Sequence, residues 1–328
     1  MSIPVPTLSP AESSYIISSL AHPTKPTRPD ARQLFASRPI SVSYNFFPHA
    51  NGSASIKVGG TEVLAGIRLE ISDTANLQAR GDESWKAKVE VDVTPQAFPG
   101  TSSQTISSVS AHLTSLLTSH FIPFLSPLTI IENKKYFQPQ LHVTVMSAAG
   151  NIASVVFLAA RAAFADLRVP NTKVITWTGE MEEGAGEAVD LTGIKASIAA
   201  GKTKGKGRSV ISGSEDWDLN TEEEIGYHHV ESRERLPVLV TLNLVPNSPN
   251  VFLDATPQEE VACPCRIHLF FIASLDPLKP NLCGMRVEGP EGLDSSRIRG
   301  LLEKGQGVAS ELLKEMDSNL PDERSLLM

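Results

Sequence analysis

Cysteine is scarce: Cys263, Cys265 and Cys283 are the whole supply in 328 residues. Three thiols cannot build a disulfide framework, and no basic start, apolar stretch and small-residue cleavage site opens the chain. A reducing, intracellular setting is therefore expected. Long apolar runs are also missing. The stretch Ile152 to Ala160 falls far short of the ~20 residues that a membrane helix needs, so no membrane anchoring is expected. Positive charge is in deficit, with 29 Lys and Arg against 37 Asp and Glu and a net charge of -8. A chain that grips nucleic acid alone presents a basic face or stripe, so any contact with RNA is expected beside basic partners. What the chain does have is length and 41% hydrophobic residues, enough to bury a substantial core.

Ser9, Pro10 and Glu12 supply a capping serine, a first-turn proline and a third-position acid ahead of Tyr15, Ile16 and Ile17. This combination predicts a short helix running to about Leu20. Three prolines between Ala21 and Pro29 then predict an extended arm. Strands are expected from Ser53 to Val58 and from Thr61 to Ile71, with Gly59-Gly60 giving the positive φ of a tight hairpin. Val89, Val91 and Val93 alternate with Lys88, Glu90 and Asp92, and are read as the third strand of an antiparallel meander with one wet face. Apolar residues from Ile106 to Phe121 recur at helical spacing.

Leu141, Val143 and Val145 mark another strand, followed by a turn at residues 147–151 and a buried Ala-rich helix from Ile152 to Leu167. A strand from Thr172 to Thr178 comes next. Residues 178–235 shift to Gly, Glu, Lys and Ser and read as a partly disordered connector or insertion. Strands return at 237–245, 251–254, 266–274 and 284–288, before a helix from its N-cap Asp294 to about Met316. The predicted organisation is an N-terminal helix and arm (1–36), a first lobe (37–177), the connector (178–235), a second lobe (236–316) and a tail (317–328). The fold class is α+β, with mainly antiparallel sheets and packed helices.

Several motifs invite a sharper reading than they carry. Gly201-Lys202-Thr203 lacks the glycine five residues earlier, where Ala196 stands, that a phosphate loop requires, and reads as a solvated basic tether. Cys263 and Cys265 with His268 and Cys283 match no common zinc spacing and read as small core or interface residues. His228-His229 beside Glu231 do not project together and read as surface residues. No metal ion and no cofactor is expected.

Arg28-Pro29-Asp30-Ala31-Arg32, Arg38-Pro39-Ile40 and the hairpin from Gly52-Ser53-Ala54 through Gly59-Gly60-Thr61 to Gly66-Ile67 together resemble the RNase PH family. Residues 236–241 and 253–260 are similar to a eukaryotic ring subunit of the RNA exosome in that family. The resemblance implies an RNase PH-like, two-lobed fold of the ribosomal protein S5 domain 2-like type. Ala31 stands where the family has glycine; alanine reaches positive φ at greater cost, so the opening turn is expected to be built differently.

The resemblance also locates chemistry that is missing. Phosphorolysis needs an anion pocket of helix-start N–H groups and a cationic side chain. The matching loop, residues 147–154, keeps Gly150 and Asn151 but contains no Arg or Lys. The family's paired carboxylates fall at Glu260 and Arg266, and an arginine can neither bind Mg²⁺ nor act as a base. The segment after the third strand, residues 101–118, is without Lys or Arg as well. The resemblance therefore implies no catalytic residues and a structural role.

Its expected partners are RNase PH-like subunits paired with it in a hexameric ring, RNA-binding cap subunits, a separate catalytic ribonuclease, and RNA in the channel. Its expected locations are nucleus, nucleolus and cytoplasm. Arg80, Lys86 and Lys88 are the candidates for touching RNA phosphates, although a solvated loop face is the favoured account of them. Two rival readings stand beside this one: an active phosphate-dependent exoribonuclease, and a scaffold of the same fold outside the exosome.

Overall fold

The computed structural model describes residues 7–73, 85–132, 134–176, 215–220, 226–230, 233–274, 279–290, 292, 295–318 and 320. Its strands are β1 (Ile40–Tyr44), β2 (Gly52–Val58), β3 (Thr61–Asp73), β4 (Lys88–Val93), β5 (Leu128–Ile131), β6 (Lys135–Ser147), β7 (Arg168–Pro170), β8 (Thr172–Thr176), β9 (Glu215–Leu219), β10 (Tyr227–His229), β11 (Val238–Leu244), β12 (Val251–Leu253), β13 (Arg266–Ile272) and β14 (Asn281–Glu288). The helices, labelled in chain order, are α1 (Pro10–Leu20), α2 (Ser103–His120), α3 (Ile152–Ala165), α4 (Pro257–Ala262) and α5 (Ser295–Ser318).

Four layers follow from the alternation of apolar residues. The first sheet runs β1-β2-β3-β6-β4, with β5 also on β6. Its inner face, including Ile56, Val63, Ile67, Val91, Leu141 and Val143, is buried beneath α2 and α3. The second sheet, β12-β11-β13-β14, lies on the other side of that helical layer. Leu239 and Phe270 join the first core from it, while Val238, Val240, Leu242, Ile267, Leu269 and Phe271 turn the other way onto Leu301, Ala309 and Leu313 of α5. Burial on both faces makes β11 apolar or buried at every position, and burial between two sheets does the same for all fourteen residues of α3. Alanine at six positions of α3 lets both sheets approach. The buried Arg161 ties α3 to the end of α5 through Asp317 Oδ1 at 2.7 Å and also donates to the Leu236 carbonyl.

The expected meander is corrected at its third strand. After β3 the chain crosses to the far side of β6, and β4 runs parallel to β6 instead of antiparallel beside β3. Alternation reports one wet face but not which neighbour a strand takes; the helix α2 between β4 and β6 permits the parallel pairing. Two short strands fall within the expected connector. β9 pairs with β8 and β10 with β7, anchored by Trp217 against Phe137 at 6.2 Å between ring centroids. Residues 177–214, with the Gly201-Lys202-Thr203 motif, lie outside the described residues, as do Glu231 and Asp294. Ala31 does adopt φ 61, so the opening turn keeps the glycine-like backbone. Arg32 and Asp30 form an ion pair at 2.6 Å across that residue.

Candidate functional site

The loop before α3 and the strand end after β12 meet at the junction of the lobes. Both use left-handed backbone: Gly150 has φ 87, Asn151 φ 54 and Asp254 φ 47. Gly150 is required by space as well, because a Cβ there would lie 2.1 Å from the Ala255 carbonyl oxygen. Asp254 is gripped by two arginines of the N-terminal arm. Arg38 Nη2 and Nε reach its two carboxylate oxygens at 2.6 and 2.8 Å, and Arg32 Nη1 adds a bond at 2.8 Å. Burial works to raise the Asp254 carboxyl, but these arginines prevail and hold it below the ordinary 3.8. Arg28, fully buried, pairs with buried Glu259 at 2.6 Å and donates to the carbonyls of Leu253 and Asp254.

Arg38 is the cation that the loop's own sequence lacks. It arrives from 111 residues away, donating to the carbonyl oxygens of Ala149 at 2.6 Å and Gly150 at 3.4 Å. Because it faces carbonyls and Asp254, its charge is already spent and it offers no anion socket.

The α3 N-terminus is itself occupied. The Asn151 N–H donates to Glu260 Oε1 at 2.8 Å, so a carboxylate of the same chain sits where the helix would otherwise receive an anion. Arg266 Nη1 lies 3.6 Å from the same oxygen and Arg266 Nε 3.4 Å from Glu288 Oε2. Burial pushes the Glu260 carboxyl up, against the pull of Arg266 and the Asn151 amide. A polar relay continues across the sheet: Ser154 Oγ to Thr241 Oγ1 at 2.9 Å, Thr241 to His268 Nδ1 at 3.0 Å, and His268 and His112 onto Glu288 at 3.3 and 3.0 Å. Burial works to raise Glu288, but hydrogen bonds from His112 and His268 hold it well below the ordinary 4.5, while burial pushes His268 down. Asn151, Glu260, Arg266, His112, His268 and Glu288 line one small cleft.

The four positions singled out from sequence, Gly150, Asn151, Glu260 and Arg266, thus converge. Of the RNA-contact candidates, the two described, Lys86 and Lys88, do not join them. Lys86 Nζ donates to the Pro123 carbonyl at 2.9 Å, Lys88 is exposed at the start of β4, and Arg80 lies outside the described residues. Arg38 and Asp254 stood inside the quoted motifs and His268 was read beside the cysteines as a core or interface residue, so none of the three was marked for this site; His112 and Glu288 carry no local signal. Among the described residues no cluster of three or more His, Cys, Asp or Glu is arranged to hold a metal ion. Cys263 and Cys265 are buried core thiols. His228 and His229 take separate partners, Asn171 Oδ1 and the Leu167 carbonyl.

The family model described as the 3′ exoribonuclease family, domain 1 (RNase PH) matches residues 36–170. A protein of Dictyostelium discoideum named putative exosome complex exonuclease RRP42 is 23% identical over 364 residues, spanning 96% of this chain and 98% of that one. The exosome complex component Rrp42 of Sulfurisphaera tokodaii is 32% identical over 155 residues, 45% of this chain and 54% of the archaeal one. The chain therefore spans about half the length of that archaeal relative. Among solved structures, an archaeal exosome core aligns with a TM-score of 0.59 at 18% identity, over 94% of this chain and 96% of that one. An Archaeoglobus fulgidus exosome with RNA bound to the active site aligns with a TM-score of 0.57 at 16% identity, over 95% and 98%. The backbone likeness is that of the RNase PH-like fold.

Proposed function

From the premise that this chain carries an RNase PH family domain in an RNase PH-like fold, we propose that it is a non-catalytic structural subunit of an RNA exosome ring. Support for the ring comes from relatives named as exosome components and from the likeness to exosome cores along nearly the whole chain. Its partners are other RNase PH-like subunits, RNA-binding caps and a separate ribonuclease, with RNA passing through the assembled channel. It serves RNA processing and turnover, rRNA maturation included, in nucleus, nucleolus and cytoplasm.

One observation carries the non-catalytic part. The helix-start N–H that would receive phosphate already holds Glu260, and Arg266 stands over that carboxylate where a second acid would serve a metal ion or a proton. Inorganic phosphate would have to displace a buried, hydrogen-bonded carboxylate of its own charge sign. Affinity purification of the tagged chain with quantitative mass spectrometry is expected to recover ring and cap proteins in comparable amounts. A stable monomer without affinity for them would refute the ring assignment. Incubation with labelled RNA, phosphate and Mg²⁺ is expected to leave the RNA intact; shortening with release of nucleoside diphosphates would refute the non-catalytic reading.

A further inference from the structure

His268 is buried in β13 between Thr241 of β11 and Arg286 of β14, its partners in the sheet register. Its two ring nitrogens meet different chemistry. Nε2 faces the Glu288 carboxylate at 3.3 Å, and an ionised carboxylate only accepts, so Nε2 carries a proton. In the neutral ring Nδ1 is then an acceptor, and the Thr241 hydroxyl at 3.0 Å donates to it. Thr241 is left to accept, and Ser154 of α3, at 2.9 Å, donates to Thr241. Every proton of this buried chain points from α3 toward His268.

The chain ends beside an unmet group. Asn151 is the N-cap of α3 without a side-chain capping bond, and Ser154 stands three residues on, in the first turn. The Asn151 side-chain amide donates to Asp254 Oδ1 at 3.3 Å, while its buried Oδ1 has no hydrogen-bond partner among the described residues. Asn151 and Ser154 line the same cleft. A serine in a helix ordinarily turns its hydroxyl to the carbonyl four residues back. Here that carbonyl, of Gly150, already accepts from Thr61 Oγ1 at 2.8 Å and Arg38 Nη2 at 3.4 Å. Asn151 Oδ1 is the acceptor left for a Ser154 hydroxyl turned away from Thr241.

The charges around His268 govern when the ring takes a second proton. Arg266 lies on its own strand, Arg286 and Glu288 on β14, His112 and His120 on α2, and Glu260 on α4. At neutral pH two arginines face two carboxylates, so a proton on the ring is surplus charge. Burial, joined by Arg266 and His112, outweighs the pull of Glu288 and holds His268 below the ordinary 6.5. The unfolded chain thus protonates first, and the stability given by the neutral ring, complete above about pH 6.5, is lost as pH falls toward the folded value.

We propose that Ser154, Thr241 and His268 form a reversible hydrogen-bond chain, an acid-operated switch in which one proton taken up from solvent at His268 Nδ1 turns both hydroxyls around and delivers a donor to Asn151 Oδ1. In the neutral state the order of donation is Ser154 to Thr241 to His268. In the acid state it is His268 to Thr241 to Ser154 to Asn151, and no other group changes its proton count. The N-cap of the helix packed on both sheets thereby reports the charge state of the Glu288 cluster. The chain lies within one subunit, so it stands or falls apart from the ring assignment.

The test uses the full chain with nitrogen-15-labelled histidine and asparagine, followed by NMR from about pH 7.5 to about pH 5. At the upper end His268 is expected as the Nε2–H tautomer, and the Asn151 side-chain amide is expected to shift with the midpoint at which His268 takes its second proton. Glu260, which accepts from the Asn151 backbone N–H at 2.8 Å, is the other group able to move that resonance. Thr241→Val, similar in shape, cuts the chain and is expected to abolish the His268-linked shift while any response to Glu260 persists. Ser154→Ala is expected to lower the His268 midpoint by about one pH unit, because Thr241 then has no acceptor in the protonated state. The two variants are independent, so either alone tests the chain. An Nδ1–H tautomer at neutral pH, a ring that takes up no second proton above about pH 5, an Asn151 amide indifferent to His268, a linked shift surviving in Thr241→Val, or an unmoved midpoint in Ser154→Ala would each overturn the proposal.

Discussion

Arg28 and Glu259 have fully buried side chains that meet at 2.6 Å. Arg28→Met would leave Glu259 buried without its counter-ion, and a loss of about 3–5 kcal/mol is expected in urea denaturation; a loss under about 1 kcal/mol would contradict the role given to this pair. Glu288 and Asp254 have folded-state values below their ordinary 4.5 and 3.8. The unfolded chain thus takes up protons first as pH falls, so the stability these groups contribute is complete above about pH 5 and is lost as the solution is acidified toward their folded values. Glu260 runs the other way: its raised value lets the folded state keep a proton longer, and its contribution fades as pH rises through that value. Glu288→Gln is therefore expected to flatten the acid limb of a urea-midpoint series between about pH 6 and pH 3. An unchanged slope would contradict the relay. Arg266→Asp alone is expected to leave RNA phosphorolysis undetectable, because residues 101–118 still lack an arginine and Arg38 stays committed to Asp254.

At the scale of elements, two helix starts show what the sequence did and did not disclose. Ser9-Pro10-Ala11-Glu12 and Thr256-Pro257-Gln258-Glu259 are the same signature, and both form complete capping boxes. The first was recognised because apolar residues at helical spacing follow it. The second was not, because α4 is six residues long and ends at Cys263 before any periodicity develops. The β4 pairing was hidden for a related reason, since neighbour choice depends on residues far along the chain. The candidate loop and the positions Glu260 and Arg266 were located through the resemblance to the RNase PH family, whereas Arg38, Asp254 and the histidine relay depend on contacts that span up to 216 residues.

The glycines of α5 give an internal comparison. Gly300 and Gly307 have open space where a Cβ would go, while a Cβ on Gly305 would lie 2.5 Å from Leu269 Cδ1. Gly300→Ala and Gly307→Ala are each expected to raise stability by about 0.5–1 kcal/mol, and Gly305→Ala to lower it, measured by thermal or urea unfolding.

The whole molecule is organised around α3, which packs on β2 and β3 of one sheet and on β11 of the other. A helix with no exposed residue cannot stay folded on one lobe when the other is lost. The two lobes are expected to unfold in a single transition, with tryptophan fluorescence from Trp85 beside the first sheet coinciding with far-ultraviolet circular dichroism. Separated midpoints would contradict this coupling. Two separate runs of strands and helices were legible in the sequence, but nothing local said that they share one helix.

That sharing has a consequence in time. Translation delivers α3 before β11, which lies about 70 residues further along the chain. At roughly 5–20 residues per second, the ribosome exposes the uncovered side of an Ala-, Val- and Phe-rich helix for several seconds in every round of synthesis. The nascent chain is then a chaperone client, and a stall between residues 170 and 236 would release a fragment with half of its most apolar helix bare.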